Sequence, residues 1–372
     1  MRICILLERL DETSACFSAK VLARGFAAEG HEVFLIVARA SLDDVEQLRA
    51  TGELPEEIAA FGLGANSNGV AVGPLGQLVA QIMPSLVYSI GHGANILAVC
   101  AVKIRLRLGV PVVLAVPELF DPHPELNKEM RPLVLSLAVP DCYGSAAAIV
   151  CFGDGLENML QACGHLQEVP ITRVYPPLLG AEVFAHRQVR QPEEPCKRVV
   201  VQCGQEQDLQ HLRHVLAHAF SGTSIQLVLA VPYSDYGNAC AQMPEGARTA
   251  IFPYEDAQLR DEIAAASVFV NCCRSRQISR LLVEALAHAR PVVCHDVGIS
   301  QRMLLDGLDG FVLVRGERLQ ELAAAAAALA FSEATNSKAP RRAHLFNAHS
   351  SVMAHLSLFE RWEDVAPQLL GS

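Results

Sequence analysis

A chain of 372 residues, 51% hydrophobic and 19% charged, has the length of two ordinary domains and the composition of a globular protein, neither disordered nor coiled coil. Its net charge of −10 argues against a nucleic-acid binder, which needs a basic surface to neutralise phosphates. The opening MRICILLERLDE lacks the apolar centre and cleavage site of a signal peptide, and no apolar run reaches the roughly 18 residues of a membrane span. A cytoplasmic chain is expected. The 12 cysteines show no Cys-x-x-Cys spacing, and Cys4, Cys151 and Cys203 sit in apolar runs, so neither a disulfide framework nor a metal site is expected.

In chain order, Ile3–Leu7 reads as a buried strand, followed by a polar loop, a helix to Ala28, a break at Gly30-His31 and a second strand at Glu32–Val37. A strand, helix and strand of this length make a parallel βαβ unit. Strands follow at Ser85–Ser89, Pro111–Val116, Ala147–Phe152 and Thr172–Tyr175, with helices at Asn95–Leu108 and Leu156–Cys163. His186–Lys197 is polar and has no apolar periodicity, which suggests a linker. The alternation then restarts. Strands are expected at Arg198–Cys203, Ile225–Ala230, Thr249–Phe252, Val268–Asn271, Pro291–His295 and Gly310–Val314. Between and after them run helices at Leu209–Phe220, Asp256–Ala265, Arg280–His288 and Leu319–Leu329, and Ser350–Leu370 has helical spacing. Two successive α/β halves predict two Rossmann-like, doubly wound domains, 1–185 and 198–349, facing a cleft, with the helix 350–372 free to cap either one.

Ligands in such sheets bind beyond the carboxyl ends of the strands. The loops expected there carry Gly91-His92-Gly93, Glu118, Gly204-Gln205, the arginines Arg274, Arg276 and Arg280, and Gly298-Ile299-Ser300 opening a helix. No G-x-G-x-x-G, Walker A or nucleophile-elbow motif is present. His92 reads equally as a reactive histidine and as a plain loop histidine. Arginines clustered at one strand end suit an anion. Glu284, between Val283 and Ala285 on an apolar helix, needs a partner if buried.

Together these segments resemble the family-4 type of retaining nucleotide-sugar glycosyltransferases, which have the GT-B fold. LARGFAAEGHEVFLIV, from Leu22 to Val37, looks like that family's first helix and second strand. The run from Val283 to Val314, with its glutamate-alanine helix, Pro-Val-Val strand and later Asp-Gly-Phe, follows the family's most specific stretch. The resemblance implies transfer of a sugar from a nucleotide-diphosphate sugar to a hydroxyl acceptor, with retention and with no metal or other cofactor. It places the donor at Gly204, Gln205, Arg274, Arg276, Ser279, Glu284, Gly298, Ile299 and Ser300, with Glu284 on the ribose. His92 and Glu118 are placed at the reacting centre, and the acceptor is a glycan, a lipid-linked glycan or a protein. The sequence departs from the pattern at several positions. Arg276 stands where the family has a glutamate, Ser279 where it commonly has glycine, and QEQDLQH after Gly204 holds no phosphate-clamping Arg or Lys. Two alternatives therefore stay open: a degenerate, glycosyltransferase-like scaffold, and a nucleotide-sugar epimerase of the same fold. The basic run Lys103–Arg107 reads either as a solvated helix face or as a peripheral membrane contact.

Overall fold

The structure is a computed structural model. It describes residues 1–118, 139–162, 166–185, 197–204, 209–220, 223–241, 249–273, 275, 277–296, 298–314, 318–332 and 338–363. The chain forms two compact units: Met1–Leu178 with Ala348–Ser372, and Leu179–Asn347.

The first unit holds seven strands: β1 (Arg2–Leu7), β2 (Glu32–Val37), β3 (Ala59–Gly62), β4 (Leu86–Ile90), β5 (Val112–Val116), β6 (Ala148–Cys151) and β7 (Ile171–Arg173). They lie in the order β3-β2-β1-β4-β5-β6-β7, and every pairing is parallel. Ile5 of β1 pairs Leu35 on one side and Tyr88 on the other. The second unit holds β8 (Arg198–Gln202), β9 (Gln226–Val231), β10 (Thr249–Pro253), β11 (Val268–Asn271), β12 (Val292–His295) and β13 (Phe311–Val314), in the order β10-β9-β8-β11-β12-β13. These pairings are also parallel, with Val201 between Leu229 and Val270. Parallel strands covered on both faces need continuous apolar runs. The central strands supply them: β4 and β5 are buried at every position. Two Rossmann-like α/β folds are therefore present, as the sequence predicts.

Three elements between β2 and β4 escape the sequence pattern: the helices Leu42–Ala50 and Asn68–Ile82, and β3. The second helix contains Gly69, Gly73, Pro74 and Gly76, which mask its periodicity. The helix expected over Asn95–Leu108 also differs. It starts at His92 and widens into a π-helical turn over Cys100–Arg105, and Arg107 has φ 50°. The widened turn keeps Ala101 and Val102 in the core while residues 104–107 are exposed to solvent.

The chain passes from the first unit to the second between Leu178 and Leu179, ahead of the polar stretch expected to be a linker. Of that stretch only Lys197 is among the described residues. The return passage follows Asn347, which bridges to Leu179.

The helix Ala348–Glu363 belongs to the first unit and packs against the helix Ser14–Ala28. The two approach so closely that a Cβ on Gly25 would overlap Val352. Its Phe359 stands edge-on to Phe26 and Tyr88, with ring centroids 5.6 and 5.2 Å apart. His355 is fully buried in this cluster. Its Nδ1 lies 2.7 Å from the Ser351 carbonyl and its Nε2 2.8 Å from the Tyr88 hydroxyl. A carbonyl only accepts, so Nδ1 carries the proton and Nε2 accepts from tyrosine.

Burial pushes the His355 pKa down from 6.5 to about 4. The unfolded chain therefore binds an extra proton between those values. The neutral ring's contribution is complete above about pH 6.5 and is lost as pH falls towards 4. On urea unfolding, the wild type should lose roughly 3 kcal/mol more between pH 7 and pH 4 than His355→Leu does. Equal losses in the two proteins would show that His355 titrates normally.

Candidate functional site

In each sheet the crossovers change face between two neighbouring strands, which opens a crevice above their carboxyl ends. In the first unit these are β1 and β4, and in the second β8 and β11.

Glu8 follows β1, and Gly91-His92-Gly93 follow β4. Gly91 has φ 96°, a conformation glycine adopts without strain, and caps the helix that starts at His92. A Cβ on Gly93 would overlap the Glu8 carboxylate, so this glycine lets the two loops close on each other. Arg39, just past β2, lies 3.4 Å from Glu8 and donates to the Asn66 carbonyl. Asn68 donates to the Gly93 carbonyl across the same crevice, at 3.4 Å.

His92 is half-buried and bound at both ring nitrogens. Nε2 is 3.0 Å from the Glu118 carbonyl, and Nδ1 is hydrogen-bonded to the Tyr143 hydroxyl. The carbonyl fixes the proton on Nε2, so Nδ1 accepts from Tyr143. The tyrosine oxygen in turn accepts from Asn95 at 3.1 Å. Asn95 also donates to the Ala115 carbonyl and accepts from Ser89. Burial lowers the His92 pKa to about 4, against the smaller opposing effect of the Glu118 carbonyl. The ring is therefore neutral near pH 7. It joins the end of β5 to the helix Val139–Gly144, and it presents no free lone pair with which to abstract a proton. Glu118 contributes its backbone carbonyl to this arrangement.

In the second unit Gly204 lies against Cys273, its potential Cβ 3.6 Å from the cysteine Cα. Ser279 caps the helix Arg280–Ala287 by accepting from Leu282 N, and it donates to Gln202 Oε1 at 2.6 Å. The end of β8 is thus tied to the start of that helix. Tyr254, after β10, donates to the Cys203 carbonyl. The Arg280 guanidinium binds the Tyr254 carbonyl at 2.7 Å and Glu255 at 3.4 Å, so it is engaged by the loop after β10.

Glu284 lies on the inner face of that helix, with its side chain 2% exposed. Its nearest ion-pair partner is Arg260 Nε, 3.8 Å from Oε1. Oε1 makes no hydrogen bond among the described residues. Burial raises the carboxyl pKa, while Arg280 and Arg260 oppose the rise. Gly298 caps the helix Ile299–Leu305 without a side-chain cap, which leaves its first amides to other acceptors. Gln205, Arg274 and Arg276 lie outside the described residues, as do the side chains of Ile299 and Ser300. No group of three or more potential metal ligands occurs among the described residues. No described helix is long and apolar enough to cross a membrane.

These two sheets, with their matching strand orders, have counterparts in known structures. The fold is GT-B. HepE from Anabaena, solved with UDP and glucose, matches 99% of this chain and 100% of its own at TM-score 0.62 and 16% identity. Sucrose-phosphate synthase from Thermosynechococcus elongatus covers 97% and 99% at TM-score 0.68 and 13% identity. A lipopolysaccharide outer core galactosyltransferase covers 97% and 100% at TM-score 0.65 and 14% identity. Residues 199–331, most of the second GT-B unit, match the model of the family described as Glycosyl transferases group 1. No curated protein matches the chain in sequence.

The sequence singles out His92, Glu118 and Gly204 beyond strand ends and Glu284 on an apolar helix, with Ser279 named through the resemblance, but it does not single out Glu8, Arg39, Asn95, Tyr143, Gln202 or Tyr254. Glu8 and Gln202 end or follow predicted strands at the reversal of strand order, and that position was the signal available for them. Nitrogen-15 NMR should find His92 neutral at pH 6, with its proton on Nε2, and Tyr143→Phe should shift the Nδ1 resonance. A charged ring at pH 6 would contradict the hydrogen-bond assignment.

Proposed function

We propose that this protein is a glycosyltransferase that moves a sugar from a nucleotide-diphosphate sugar to an acceptor hydroxyl in glycan or glycoconjugate synthesis. The reading includes retention of configuration and no resident metal. The bond from the anomeric carbon to the β-phosphate oxygen breaks, the acceptor oxygen takes that carbon, and the acceptor proton and the nucleoside diphosphate leave. UDP is the first donor base to test, since HepE is solved with UDP-glucose.

One observation carries the reading: Glu284, a buried carboxylate with an oxygen unfilled among the described residues, sits inside the segment that matches the glycosyltransferase family. Two adjacent ribose hydroxyls are the hydrogen-bond donors such a carboxylate lacks. Arg260 is 41% exposed and must turn aside to admit them. The amides that open Ile299–Leu305, with Ser300, take the pyrophosphate, and Arg274 and Arg276 offset its charge. His92 acts by position, holding Glu118 beside the crevice of the first unit. In calorimetry with UDP, Glu284→Ala should bind at least tenfold more weakly than the wild type, the usual effect of removing a charged hydrogen-bond partner of about 1.5–3 kcal/mol. Glu284→Gln keeps the shape of the side chain and should also weaken binding. Unchanged affinity in both variants overturns the ribose assignment.

The engagement of Arg280 and Arg260 inside the protein favours a second reading, in which a degenerate member of the fold binds a partner without transfer. UDP-sugar binding with turnover excludes it, and the absence of binding at millimolar ligand supports it.

A further inference from the structure

The first unit contains a cavity of about 480 Å³ at the ends of β1 and β2, within the roughly 300–1,000 Å³ of typical small-molecule sites. Arg9, Arg39, Asp44, Gln47 and Glu53 line it. None of its lining residues is aromatic, which disfavours a nucleobase and leaves polar, non-stacking ligands.

The charged groups in this cavity differ in how they are held. The Asp44 carboxylate is held by the Ser41 amide at 2.7 Å and the Ser41 hydroxyl at 2.8 Å, and those bonds keep its pKa low. Glu53 is held by Lys20 at 2.5 Å and by Thr51. Both anions therefore have their own partners. The two arginines share the single Glu8 carboxylate, at 3.7 Å from Arg9 and 3.4 Å from Arg39. Arg9 makes no hydrogen bond among the described residues, and its side chain is 58% exposed. Arg9 is thus the charged group held least, its guanidinium open to a bidentate anion. The Gln47 amide in the same lining suits a hydroxyl. Glu8 also abuts Gly93, so this cavity adjoins the crevice where His92 stands.

We propose that the cavity binds the acceptor, and that the acceptor is a sugar bearing one anionic group, a carboxylate or a phosphate, seated on Arg9 and Arg39. Its role as an acceptor rests on the glycosyl-transfer reading, whereas its anion chemistry does not.

Calorimetry on the full chain at low salt tests this with glucuronate, glucose 6-phosphate and glucose. At least one of the two acids should bind tenfold or more tightly than glucose, and added salt should weaken it. Whether glucuronate, glucose 6-phosphate or both bind assigns the anion. Arg9→Gln, at an exposed position that leaves the fold intact, should weaken the acid at least threefold, and Arg9→Gln with Arg39→Gln at least tenfold. UDP affinity should stay unchanged in both. If neither acid binds better than glucose, or if both variants bind it as the wild type does, the proposal is wrong. A wild type that binds the acid but not UDP sinks the donor assignment alone. One that binds UDP but not the acid sinks this inference alone.

Discussion

A parallel sheet cannot close over its own carboxyl ends where its crossovers change face. The helices on either side of that point run to opposite layers, and the strand ends between them stay uncovered. Each unit obeys this constraint once, at β1/β4 and at β8/β11. The described site residues collect there or on the helix that follows: Glu8 and His92 in the first unit, Gly204, Ser279 and Glu284 in the second. The two crevices differ in charge. The first is ringed by Glu8 and Arg39, whereas the described floor of the second is made of Gln202, Ser279, Gly204 and Cys273. Cys273 adds no charge, because burial pushes its thiol up to about 11.

The pattern of apolar runs made most of the strands legible. Buried parallel strands are largely apolar, and Ile3–Leu7 of β1, Val112–Val116 of β5 and Val268–Val270 of β11 are short unbroken apolar runs. Elements at the edges were harder to see. β3 has only four residues, AAFG, and only Ala60 is fully buried, so it carries little of the signal that marks a central strand. The helix Asn68–Ile82 hides behind three glycines and a proline. Site residues divided along the same line. His92 and Glu284 stand out locally, one between two glycines and the other between two apolar neighbours. Tyr143 and Arg39 show nothing locally, since Tyr143 reaches His92 across 51 residues of sequence and Arg39 reaches Glu8 across 31. Only the folded sheet brings those segments together.

Buried polar groups in this protein fall into two kinds, and the contrast bears on function. His355 and His92 each donate to a carbonyl and accept from a tyrosine hydroxyl. Asn95 satisfies its amide hydrogens and its oxygen within 3.1 Å. These networks are complete, so they fix geometry: they hold rings, strand ends and helix starts in place at little cost in desolvation.

Glu284 is the opposite case. Desolvating a carboxylate costs several kcal/mol unless close, well-aligned partners replace water. Arg260, at 3.8 Å and partly in solvent, does so only in part, and Oε1 receives no hydrogen bond among the described residues. A residue that served packing alone would be more stable here as a leucine or methionine of similar volume, since the helix around it is apolar at Leu282, Val283, Ala285 and Leu286. An incompletely satisfied carboxylate in such a helix is strain that folding does not relieve. A ligand with two adjacent hydroxyls relieves it, and most strongly when the surrounding apolar wall excludes water from the new hydrogen bonds. The same argument explains why Arg260 stays near the surface: a fully buried, bidentate partner would satisfy Glu284 permanently and leave nothing for a ligand to add.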